Sequence, residues 1–142
     1  MAIERPKRCV LLHHKGWYQP GVFRLPTGGI EHGDRVEDAL HRELAEETGL
    51  RLVAAHFLGL LECQITHGED EVNFHSYVFH LSKTEGQLRL PETEDITEFR
   101  AVPIPDLPQV AEDLRRISPP RTGWGRWRAI AHDFVHEKLM PS

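Results

Sequence analysis

Three glutamates, Glu43, Glu46 and Glu47, stand at i, i+3 and i+4 in a stretch that reads as a helix. At about 100° per residue, Val36, Ala39, Leu40 and Leu44 share one arc and define the inward face. Glu43 and Glu47 project inside that same arc, and Glu46 lies at its edge. Glu37, Asp38, His41 and Ala45 take the outward side. Carboxylates crowded on a face that should be apolar repel one another and are costly to desolvate unless something compensates them. A hard divalent cation is the natural compensator, because Mg²⁺ takes carboxylate oxygens and retains waters that a phosphate substrate can replace. Arg42 stands beside the group, within reach of one of these carboxylates or of Asp34.

The residues ahead of this helix suit the same chemistry. Thr27-Gly28-Gly29-Ile30-Glu31-His32-Gly33 puts glycines where backbone bends tightly or approaches a ligand, and it leads into a helix N-terminus, which favours anions. Asp34, with Glu37 three positions on, has the pattern of a capping box, and Gly49 stands where a helix end wants a left-handed residue. The spacing therefore predicts a helix over 35–48.

Gly28, Asp34 and the run Arg42-Glu43-Leu44-Ala45-Glu46-Glu47-Thr48-Gly49-Leu50 together resemble the Nudix box, G-x5-E-x7-R-E-U-x-E-E-x-G-U, where U is a bulky aliphatic residue. The sequence meets eight of the nine fixed positions. Asp34 stands where the family has Glu, at a position thought to brace the loop and helix against the box arginine. The resemblance implies the Nudix α/β/α sandwich with a mixed central sheet. It also implies Mg²⁺- or Mn²⁺-dependent hydrolysis of a pyrophosphate bond in a nucleoside diphosphate linked to another group. It assigns metal binding to Glu43, Glu46 and Glu47, with Glu43 in addition or instead orienting or deprotonating the attacking water. Residues 92–98 offer either one further carboxylate, with Glu94 or Glu98 as candidates beside Glu92 and Asp95, or, by default, a solvated acidic loop. A non-hydrolytic nucleotide-binding domain on the same scaffold is the alternative.

Around the box, strands are expected over 8–14, 22–26, 52–66 (interrupted at Gly59), 72–81 and 96–102, with a hairpin turn at 67–71. Pro103, Pro105 and Pro108 break regular structure, and helices follow over 107–117 and 124–139. In the last helix Trp127, Ile130, Ala131, Phe134, Val135 and Lys138 fall on one stripe, which is expected to pack on the sheet. Arg24 alternates away from Phe23 and Leu25, so it faces either a substrate phosphate or solvent. Arg115, Arg116, Arg121, Arg126 and Arg128, interleaved with Trp124 and Trp127, either hold a base or phosphate or belong to the core and its surface.

Composition sets limits on all of this. The 142 residues suit a single domain over 1–142, with 17 Lys and Arg against 22 Asp and Glu, a net charge of −5. Residues 31–47 hold seven acids against two arginines, so this segment alone carries a balance equal to that of the whole chain. A net negative domain repels a phosphate backbone, which excludes a general nucleic-acid binder. No apolar run approaches the ~20 residues of a membrane span, and none suits a signal peptide. Cys9 and Cys63 read as free thiols in a reducing, cytoplasmic setting. The expected partner is a small nucleotide-type substrate, and the expected oligomeric state is a monomer or homodimer.

Overall fold

A computed structural model of the chain describes residues 1–92 and 95–141. Five strands form one sheet: β1 (Ala2–Arg5), β2 (Cys9–Lys15), β3 (Arg51–His67), β4 (Asp70–Glu85) and β5 (Ile96–Pro103). Their order is β3-β4-β1-β2-β5, with β1 parallel to β4 and every other pairing antiparallel, so the sheet is mixed. Three helices complete the fold: α1 (Val36–Thr48), α2 (Leu107–Arg115) and α3 (Thr122–Leu139).

Strand alternation explains the layering. Successive side chains of a strand point to opposite faces. Ala2, Val10 and Leu12 point to one side and pack with Ile104, Leu107 and Val135 beneath α2 and α3. Ile3, Leu11 and Leu81 point to the other and meet Leu40 and Leu44 of α1. The sheet is thus covered on both faces, in the α/β/α arrangement that the box implied. Among the described residues no helix is long and apolar enough to cross a membrane.

Several local expectations need correction. The central strand β1 carries no sequence signal of its own; Glu4 and Arg5 pair locally with β2, and Ala2 and Ile3, fully buried, pair with the distant β4. Residues 22–26 do not form a strand. Only Arg24 bridges to His13, through paired backbone bonds of 2.9 and 3.0 Å. The capping box does not form either: Arg35 is the N-cap without a side-chain bond, because Asp34 is already engaged elsewhere. Gly49 does close α1 in the left-handed conformation (φ 76°), its N–H bonding the Ala45 carbonyl.

The stripe expected on α3 is rotated from the buried face. Gly125, Ala129, His132 and Val135 are the buried residues, whereas Ile130 is 44% exposed. Lys138 is exposed too. Trp127 and Phe134 do meet the sheet, Trp127 against Phe74 of β4 at a ring separation of 4.7 Å and Phe134 over Gly59 of β3. The reason is that α3 packs on α2 as well as on the sheet, so its small residues face the tighter helix–helix contact.

Candidate active site

The loop of residues 27–34 is tied to α1 at both ends. Arg42 Nη1 donates to Asp34 Oδ2 at 2.7 Å, Arg42 Nη2 donates to the Gly29 carbonyl at 3.1 Å, and Asp34 Oδ2 accepts from the Glu31 N–H at 3.2 Å. The shorter Asp at 34 therefore still reaches the box arginine, and the Arg42 guanidinium beside it lowers the Asp34 pKa. Arg42 also lies 3.7 Å from Glu43 Oε1. Gly28 passes so close over Glu43 that a Cβ there would overlap the Glu43 side chain, standing 2.7 Å from its Cβ. Glycine at 28 is thus required by backbone approach to the acid itself.

The three glutamates are not equivalent. Glu47 is only 4% exposed, and its Oε2 is buried without a hydrogen-bond partner. Burial, and then the neighbouring Glu43 carboxylate, raises its pKa from 4.5 to about 7. Glu43 is half-buried, and Glu46 is exposed. Among the described residues, no three His, Cys, Asp or Glu side chains stand close enough to enclose a metal. Of the acids in 92–98, Glu92, Asp95 and Glu98 are exposed, and Glu94 lies outside the described residues.

A cleft of about 570 Å³ opens over this region, lined by Gly28, Gly29 and Glu43 at one wall and Phe74, Tyr77 and Trp127 at another. Arg24 and Arg128 line it as well. Arg24 is neither a surface arginine nor wholly free: it is 4% exposed, donating from Nε to Tyr18 Oη at 2.6 Å and from Nη1 to Thr27 Oγ1 at 2.9 Å. Of the arginines in 115–128, Arg128 reaches the cleft, Arg115 pairs with Glu112 and Asp133, and Arg121 stacks on Trp17 at 4.1 Å.

Sequence reasoning assigned no role to two buried histidines. His132 Nε2 accepts from the Leu25 N–H at 3.0 Å, so its Nδ1–H donates to the Arg128 carbonyl at 2.9 Å. The neutral ring therefore pins the start of the glycine loop to α3. His13 is fully buried with both ring nitrogens unpartnered. Burial lowers the His13 pKa from 6.5 to about 2 and the His132 pKa from 6.5 to about 3. Each histidine therefore contributes stability that is fully present above pH 6.5 and is lost as pH falls toward those values. Glu47 acts in the opposite sense between pH 4.5 and 7 and offsets one of the two. Urea unfolding without divalent cations should show a net loss of roughly 1 kcal/mol per pH unit between pH 6 and 5. A flat or rising profile would contradict the neutral-histidine assignment.

Known proteins place this geometry in a wider setting. A solved MutT NUDIX hydrolase from Burkholderia pseudomallei shares the fold at a TM-score of 0.62 and 21% identity, covering 98% of this chain and 93% of that one. The chain is 31% identical over 122 residues to an ADP-ribose pyrophosphatase of Methanocaldococcus jannaschii, covering 86% of this chain and 70% of that protein. It is also 39% identical over 59 residues to the nucleoside triphosphatase NudI of Klebsiella pneumoniae, which is 34% of this chain and 41% of the relative. The family model of the NUDIX domain matches residues 1–120. With the box loop and helix folded as a braced unit above the cleft, the chain belongs to the NUDIX domain family.

Proposed function

We propose that this Nudix pyrophosphohydrolase cleaves the pyrophosphate bond of a small nucleotide with the help of a divalent cation held by Glu47 and Glu43, with Glu46 at the rim. The observation that carries this reading is the buried, unpartnered Glu47 Oε2 beside a second carboxylate. A lone buried carboxylate is destabilising, and a cation is the group whose charge and oxygen preference fit it. Mg²⁺ or Mn²⁺, when bound, supplies neutralisation of charge on the phosphate oxygens.

The chain's own residues do the rest. Glu43, at the cleft wall, orients the attacking water and takes its proton as the bond to phosphorus forms. Arg42 and Asp34 hold the loop so that Gly28 and Gly29 bring backbone up to the phosphates. Phe74, Tyr77 and Trp127 offer apolar faces to the remainder of the nucleotide. The relative aligned over most of this chain is named for ADP-ribose, which favours a nucleoside diphosphate linked to a sugar over a triphosphate.

The test is product analysis on a panel of ADP-ribose, nucleotide sugars, nucleoside triphosphates, dinucleoside polyphosphates and NADH, with Mg²⁺ or Mn²⁺. Cleavage at a pyrophosphate linkage, abolished by EDTA, is the expected result. Binding without turnover across the whole panel would replace this reading with a non-hydrolytic nucleotide-binding domain.

A further inference from the structure

Two arginines at the cleft differ from those that pair with acids. Arg42, Arg51 and Arg115 each pair with a carboxylate, Asp34, Glu85 and Glu112 respectively. Arg24, buried, and Arg128, half-buried, have no carboxylate within 4.0 Å among the described residues. A buried cation without an anion is costly, and two adjacent cations raise that cost.

Their hydrogen bonding leaves donors over. Arg24 uses Nε on Tyr18 and Nη1 on Leu25 and Thr27, and its Nη2 makes no bond among the described residues. The Arg128 guanidinium carbon stands over the Trp127 ring, 4.0 Å from its centroid, and its Nε is buried without a partner. Burial, and then Arg24, lowers the Arg128 pKa from 12.5 to about 10, which leaves it charged at neutral pH. Both side chains line the 570 Å³ cleft that holds Glu43, and both line a smaller adjoining cavity of about 60 Å³.

We infer that Arg24 and Arg128 form an anion subsite that grips a phosphate group of the nucleotide. The inference rests on the reading of the cleft as a nucleotide site. A guanidinium presents a planar fork of donors that matches phosphate oxygens, and two forks on one cleft supply the missing anion's partners. Thr27 ties Arg24 to the glycine loop, so a phosphate held here is delivered beside Gly28 and Glu43. Trp127 lies against Arg128 and packs on Phe74 with ring centroids 4.7 Å apart, and the pair gives an apolar wall of the cleft to whatever the phosphate carries.

The experiment is calorimetric titration of EDTA-treated protein with inorganic pyrophosphate at low salt, comparing the parent, Arg128→Gln and Arg128→Lys. Arg128→Gln avoids the heavily bonded Arg24 and removes only the guanidinium, leaving the backbone carbonyl that His132 uses. The parent is expected to bind pyrophosphate, Arg128→Gln to bind it at least tenfold more weakly, and Arg128→Lys to fall between them. The melting temperature of Arg128→Gln without anion should equal or exceed that of the parent, and its rise on adding pyrophosphate should be lost. A purely structural arginine would instead lower the melting temperature and leave affinity alone. Equal affinity in parent and Arg128→Gln, or no binding by the parent, overturns the inference. Hydrolysis of the panel with unaltered pyrophosphate binding in Arg128→Gln would sink the subsite and leave the proposed activity standing. Arginine-dependent binding without any turnover would do the reverse.

Discussion

Glu47→Gln is expected to lower kcat by about 10²–10⁴-fold at saturating Mg²⁺ or Mn²⁺, while the metal-free protein melts no lower than the parent at pH 8. The rate loss follows from the several kcal/mol that cation-borne charge stabilisation supplies to phosphoryl chemistry, at about 1.4 kcal/mol per tenfold in rate. The stability side follows from burial. Glu47 is enclosed, one of its oxygens has no partner, and Glu43 stands beside it, so the amide removes a charge that the fold has not satisfied. The exposed Glu46 should behave differently: its carboxylate stays solvated, so Glu46→Gln should lose less activity. Steady-state kinetics with scanning calorimetry in EDTA read both effects. A Glu47→Gln protein with near-parental turnover would end the assignment of this residue to cation binding, and a large fall in metal-free melting temperature would show that it is a structural acid.

Gly125→Ala is expected to destabilise the fold by about 3 kcal/mol, the upper range for forcing atoms into a filled contact. A Cβ at 125 would overlap the Leu114 carbonyl oxygen and stand 3.1 Å from Ile117 Cδ1. Backbone cannot swing away as a side-chain tip can, so α3 must move off α2. For a chain of this length, that corresponds to a fall in melting temperature of roughly 6–12 °C. Gly123→Ala is the control: it lies in the first turn of the same helix with open space around it, and should be neutral or mildly stabilising. Equal melting temperatures for the two variants would mean that the α2–α3 contact is looser than the structure shows. Because α3 also carries Arg128, Trp127 and His132, Gly125→Ala should reduce activity as well.

What could be read in the sequence and what could not divide along the range of the interactions. The box helix is local: its inward arc of Val36, Ala39, Leu40 and Leu44 and its glycine end are spaced along one short segment, so periodicity located α1 to within a residue. The hairpin of β3 and β4 was legible in outline, since both strands flank one turn at Gly68 and Glu69, but β3 runs on through Gly59, where an interruption is expected, and β4 extends to Glu85 rather than ending at Leu81. β1 was not, because four residues with no pattern become a central strand only by adding, to a short turn back into β2, a parallel pairing with β4 far along the chain. The residues 22–26 failed in the converse way, having a strand's composition and only one bridging neighbour.

The site divides likewise. By itself the sequence determined the acidic cluster, its preceding glycine loop and the family they mark, because all of these are written in 23 consecutive residues, Gly28 to Leu50, while it left Arg42 a choice of acids that the structure resolves to Asp34. Periodicity put Glu43 and Glu47 inward and Glu46 at the edge, but only the tertiary structure decided that Glu47 is the enclosed one and Glu43 half-buried, since desolvation depends on what the rest of the fold packs over each. Only it decided that Arg24 and Arg128, about a hundred positions apart, line one cleft without a carboxylate between them. Spacing along a helix fixes direction, whereas burial and charge pairing are sums over neighbours that the fold alone brings together.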